Sequence, residues 1–214
     1  MKKTNKNLTT ESTNGEPEVS NNASSVISES TEKKSEKSEY LTEDVDDEGA
    51  LNTLFLDLLK DVYWAEKYLV KKLPMAKEAA TTSLLKKAIH EHWLQTKKQV
   101  EKVEQVFESI GENAVSKKCV AMQGLVEEVE EIIDETDYQT LTRDVGIIIA
   151  SQKVEHYEIA AYGGLVALSQ VLGHREATKI LMEILEEEKA ADAKLTGIAE
   201  NKRINAEAAA ESQG

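Results

Sequence analysis

The chain has 214 residues, of which 40 are acidic and 26 basic, for a formal net charge of −14. That charge argues against nucleic acid or an anionic membrane as a partner of the folded surface, and no apolar run approaches the ~20 residues of a spanning helix. The single cysteine, Cys119, excludes an internal disulfide framework and fits a reducing cytoplasm.

Residues 1–48 are rich in Ser, Thr, Asn, Glu and Lys, with scattered single apolars and no sustained period. Such a segment buries too little apolar surface to offset the entropy of ordering it, so a disordered acidic tail is expected. Residues 49–201 read differently. Ala, Leu, Glu and Lys dominate, Pro74 is the one proline, and strand-type alternation is missing. That composition predicts an all-α domain. A frayed tail is expected over 202–214.

A first helix is predicted after the acidic run Asp44-Val45-Asp46-Asp47-Glu48, whose charge suits a helix N-terminus. Its stripe is Leu51, Leu54, Leu58, Val62, Glu66, Leu69 and Leu73. Pro74 predicts a kink or break nearby, and Thr81-Thr82-Ser83 a turn with an N-cap. The second helix runs from about residue 84 to 110 and stops at Gly111. Its stripe, Leu85, Ile89, His92, Thr96, Gln99, Val103, Val106 and Ile110, is polar for two turns. A shorter helix follows over about 118–135, with Met122, Leu125, Val129, Ile132 and Ile133 on one side. The third long helix ends at Gly173 and carries Val145, Ile148, Gln152, Glu155, Ile159, Tyr162, Val166 and Ser169. Its Gly163-Gly164 pair predicts a close helix approach or a kink. The fourth, from about 174 to 201, carries Ala177, Leu181, Ile184, Glu188, Ala191, Leu195 and Ile198.

Short turns make the first and second helices, and likewise the third and fourth, antiparallel neighbours. Nearly thirty residues separate the two pairs. One long crossover carrying a short fifth helix is the connectivity of a ferritin-like four-helix bundle.

Glu66, Glu155 and Glu188 each stand at mid-helix where Leu or Ile is expected. A buried carboxylate is costly unless paired, protonated or bound to a metal, and several in one bundle repel one another without a cation. Glu158 is three residues from Glu155 and Asp192 four from Glu188, so each pair projects to nearby points. With His92 these five carboxylates form a candidate site for a hard cation, Fe or Mn. His156 lies off the stripe, His90 and His174 read as exposed, and Trp93 and Tyr162 read as core or interface aromatics.

Three stretches carry a resemblance to the YciE/YciF stress-response family. They are Lys118-Cys119-Val120-Ala121-Met122-Gln123-Gly124-Leu125, Gln152-Lys153-Val154-Glu155-His156-Tyr157-Glu158-Ile159-Ala160-Ala161-Tyr162-Gly163, and Glu186-Glu187-Glu188-Lys189-Ala190-Ala191-Asp192. Asp61-Val62-Tyr63-Trp64-Ala65-Glu66-Lys67 is also similar. The resemblance implies a ferritin-like bundle in a bacterial cytoplasmic homodimer, linked to stress and to metal binding. It also implies a dinuclear site on Glu66, Glu155, Glu158, Glu188 and Asp192. The chain departs from ferritin-like di-iron proteins in holding no Glu-x-x-His, since Ala191 stands three residues after Glu188. Two function classes follow. One is a Fe- or Mn-binding stress protein that detoxifies peroxide or oxygen. The other is a non-catalytic dimer whose interior polar groups form a metal-free network fixing helix register.

Overall fold

The computed structural model describes residues 47–201 and 204–212. The tail expected over 1–48 lies outside the described residues except for its last two, which begin α1. The helices are α1 (Asp47–Ala79), α2 (Ser83–Ser109), α3 (Val120–Glu135), α4 (Leu141–Val171), α5 (Arg175–Thr196) and α6 (Ile204–Glu211). A π-helical turn, Gly197–Asn201, extends α5.

Local chemistry sets the boundaries. The Thr82 hydroxyl accepts the Leu85 N–H at 3.3 Å, and Thr140 accepts that of Arg143 at 3.3 Å, each satisfying an orphan donor of the first turn. Cys119 does the same for α3, its sulfur accepting from Met122 at 3.3 Å. Gly111 and Gly173 follow α2 and α4 with φ of 77° and 75°, the left-handed conformation that closes a helix.

Helix α1 runs unbroken through Pro74. Proline has no N–H, so the carbonyl four residues back, that of Val70, lacks its helical donor. The Trp93 indole of α2 donates to that carbonyl at 2.9 Å. The expected break is thus replaced by a cross-helix repair.

Hairpins α1–α2 and α4–α5 are the best-packed pairs, with α2 against α5 and α1 against α4 closing the bundle. Helix α3 lies within the crossover and packs on α4 and α1. This is the all-α ferritin-like bundle that the spacing predicts. Buried apolar side chains form two end layers. One joins Phe55, Phe107, Leu165 and Leu181, and the other joins Ala76, Ile89, Ile147 and Leu195. Between them the four long helices contribute Glu66, Gln99, Glu155 and Glu188 to a buried polar layer.

Three further expectations change. Phe55 and Leu59 are buried at the start of α1, while Leu54 and Leu58 are exposed, so the stripe sits one residue on. Gly163 and Gly164 have open space where a side chain would stand. Gly146 is the close approach instead, since a β-carbon there would meet Ile132 Cγ2 at 2.5 Å. Finally, the C-terminal segment expected to fray forms α6, with Ile204 and Ala208 buried against the bundle.

The two hairpins are also tied at one end. The buried Asp144 carboxylate accepts the Thr81 and Thr82 backbone N–H groups at 2.5 and 2.9 Å. These are the turn between α1 and α2, so the start of α4 holds the opposite hairpin in place.

Candidate metal centre

Glu155 and Glu158 stand one turn apart on α4, Glu188 faces them from α5, and His92 reaches in from α2. One ligand atom from each of His92, Glu155, Glu158 and Glu188 lies within 4.8 Å of the other three. All three carboxylates are buried, and His92 Nε2 is 3.4 Å from Glu155 Oε1.

Burial pushes the Glu155 and Glu158 carboxyls well above the usual carboxylate range, and the Glu188 charge adds to it. Burial raises Glu188 as well, to about 7, against hydrogen bonds with Glu155 and Gln99 that favour its charged form. The His92 imidazole is pushed down to about 4, first by burial and then by the Lys194 charge. At neutral pH it is therefore uncharged, the form that ligates a metal.

Glu66 joins the layer from α1. Its carboxyl is raised by burial and by Glu188, and it accepts a short hydrogen bond from the Tyr162 hydroxyl. Gln99 donates to Glu188 and, at 3.2 Å, to Glu187, whose other oxygen takes Lys102 at 2.7 Å. The layer is thus connected to a surface ion pair.

The protein partners do not satisfy this cluster. Glu66 Oε2, Glu155 Oε2, Glu158 Oε2, Glu188 Oε2 and both His92 ring nitrogens are buried without a hydrogen-bond partner. Buried polar atoms are almost always paired, so such a concentration has to be explained. Oxygen-rich donors with one imidazole nitrogen fit a hard or borderline divalent cation.

Five of the six residues singled out in the sequence meet in this layer. The sixth, Asp192, stands outside the cluster of four. It accepts from Gln152 at 3.2 Å and lies 3.4 Å from the exposed His156. Sequence spacing did not single out Tyr162 as the partner of Glu66. Its position seven residues after Glu155, two turns along the same face, was the available signal.

The fold and the interior cluster define a ferritin-like helical bundle with a carboxylate-rich centre. The chain belongs to the family described as domain of unknown function (DUF892), whose model matches residues 50–209. Protein YciF of Escherichia coli (strain K12) is 46% identical over 152 residues, 71% of this chain and 91% of that protein. The crystal structure of the E. coli stress protein YciF is similar with a TM-score of 0.68, covering 71% of this chain and 95% of that one. The YcfI structure from Rhodopseudomonas palustris is 38% identical with a TM-score of 0.67, over 68% of this chain and 92% of that one.

Proposed function

We propose that this chain is a stress-response protein that binds Fe or Mn at the interior carboxylate layer. The observation that carries the reading is the set of four ligand atoms within 4.8 Å of one another, among oxygens with no protein partner. Glu155, Glu158, Glu188 and His92 would hold the ion, with Glu66 available to a second one. A redox-active ion held here would supply electrons for reducing peroxide or oxygen. The chain's own residues shield the site from bulk water, hold Glu66 through Tyr162, and orient Glu188 through Gln99. Asp192 belongs to this reading as a neighbouring charge rather than a ligand.

A homodimer in the cytoplasm completes the proposal. Leu54 and Leu58, exposed one turn apart on α1, favour a covered apolar face. Among the described residues no helix is long and apolar enough to cross a membrane.

Anaerobic Fe(II) or Mn(II) titration of the purified protein tests the metal. Saturable binding is expected in the wild type, with loss of about 100-fold or more in affinity for Glu155→Ala and Glu188→Ala. Absence of binding, or variants that bind as the wild type does, would overturn it.

A second reading draws on the hydrogen bonds from Tyr162 to Glu66 and from Gln99 to Glu188. These suit a metal-free network of protonated carboxyls that fixes helix register in a non-catalytic protein. In that case chelator treatment leaves the melting temperature unchanged, whereas a bound ion would raise it.

A further inference from the structure

The interior carboxylate layer is closed to water, so an ion reaches it only by crossing the packing around it. The approaches differ in charge. Behind Glu188, the chain through Gln99 and Glu187 ends on Lys102, 2.7 Å from Glu187. Behind His92 stands Lys194, whose charge, after burial, depresses the imidazole. A lysine at the outer end repels an incoming cation. Beside Glu158, the buried Cys119 thiol and the Tyr157 hydroxyl close on each other at 3.0 Å.

The groove between α4 and α5 is the exception. Asp192 lies one turn from Glu188 on α5, and Gln152 lies one turn from Glu155 on α4. His156 and Asp192 face each other there at 3.4 Å, and among the described residues no lysine or arginine pairs with Asp192. Exposure falls inward, from 69% for the His156 side chain to 22% for Asp192 and 3% for Glu155. The Glu155 carboxyl, raised first by burial and by Glu188, is raised further by the Asp192 charge, so the outer carboxylate acts on the inner one. Glu155 Oε2 has no protein partner to hold it. Gln152 crosses the groove as a bar, its amide donating to Asp192 at 3.2 Å and to Thr196 at 2.8 Å, both on α5.

We propose that the α4–α5 groove is the loading route of the interior site, in which His156 and Asp192 take a divalent cation from solvent and hand it to Glu155 past the Gln152 amide. The inference rests on the metal reading above and adds the path and the residues that govern its rate. A carboxylate at the mouth raises the local concentration of cations. One imidazole nitrogen and one carboxylate oxygen suit Mn(II) or Fe(II) as exchangeable partners. Gln152 carries no charge and moves aside by giving up two hydrogen bonds, which re-form once the ion has passed. Because Asp192 is a station on the route and not a final ligand, it acts on entry and on release alike.

Two rates test this in the full-length protein: Mn(II) loading, by stopped flow against a fluorescent chelator, and Mn(II) release into excess chelator. Asp192→Asn keeps the shape and the acceptor for Gln152 while removing the charge. It should slow loading at least about tenfold and release at least about twofold, leaving Kd within about fivefold of the wild type. A ligand, or a charge that merely stabilises the bound ion, would instead speed release when removed. His156→Ala, at an exposed position that does not threaten folding, should slow both rates about threefold. Gln152→Ala takes away the bar and should speed both about fivefold, the worth of one hydrogen bond. Unchanged loading in all three variants, or faster release from Asp192→Asn, overturns the proposal. Equilibrium titration separates it from the metal reading. A wild type that takes up no Mn(II) ends both, whereas wild-type Kd with unaltered rates in the variants ends the route alone.

Discussion

Hairpin α4–α5 brings Glu155, Glu158 and Glu188 to the interior layer, whereas hairpin α1–α2 brings Glu66 with His92, Thr96 and Gln99. The first supplies negative charge in excess. The second supplies one carboxylate, already engaged by Tyr162, along with neutral donors and acceptors. Two halves of similar shape therefore do different chemistry. If the layer binds a cation as proposed, the charge-rich hairpin would draw it and the other hairpin would tune how tightly the carboxylates hold it.

The sharpest test of that asymmetry substitutes one carboxylate on each side. Glu158→Gln should lower Mn(II) affinity about 100-fold and Glu66→Gln less than about tenfold, measured by calorimetric titration. Equal losses would break the comparison. The tie between hairpins comes next. Asp144→Ala leaves the Thr81 and Thr82 N–H groups without their acceptor and should cost about 2 kcal/mol in urea unfolding. Metal affinity should change much less, since the clasp lies away from the polar layer.

Acidity separates His92 from the interior carboxyls of both hairpins. In metal-free protein the four interior carboxyls titrate above the ordinary value of 4.5, Glu188 at about 7. A group raised in this way contributes stability that is full below its unfolded pKa and is lost as pH rises through the folded one. His92 works in the opposite sense, since its folded value of about 4 lies below the unfolded 6.5. Its contribution is complete above about pH 6.5 and fades only below that. From about pH 6.5 to 8 the carboxyls alone act, and the melting temperature of chelated protein should fall steadily. Bound metal should reverse the slope, because it displaces those protons. A flat or rising profile in the chelated protein would contradict the assignment of raised carboxyls. The smallest effect is expected from Trp93→Phe, which removes the donor to Val70 and should cost about 1 kcal/mol of stability.

The bundle was legible because long stripes at helical spacing survive polar interruption. On α2, Leu85, Ile89, Thr96, Gln99, Val103 and Val106 all sit where spacing puts them. The start of α1 was not, because Leu54, Phe55, Leu58 and Leu59 offer two adjacent apolar rows, and periodicity alone cannot choose between them. Tertiary packing chooses Phe55 and Leu59. Edge positions were ambiguous in the same way. Glu158 and Asp192 looked equivalent, yet Glu158 is buried and Asp192 faces the surface beside His156. The Asp144 clasp joins groups 62 and 63 residues apart, which no local pattern encodes. Helix α6 was missed because its Ala-rich sequence has a single large apolar residue, Ile204, and folds against surface that only the bundle provides.

Pro74 acts as a ruler. The carbonyl it leaves open marks one height along α1, and the Trp93 indole can meet it from only one setting of α2. Sliding α2 by a single turn would carry that ring about 5.4 Å away and leave the carbonyl without its indole donor. The same slide would lift His92 out of the level at which Glu66, Glu155 and Glu188 gather. A residue usually regarded as a helix breaker thereby acts as a gauge mark, reporting whether the two helices are aligned before any ion or ligand arrives.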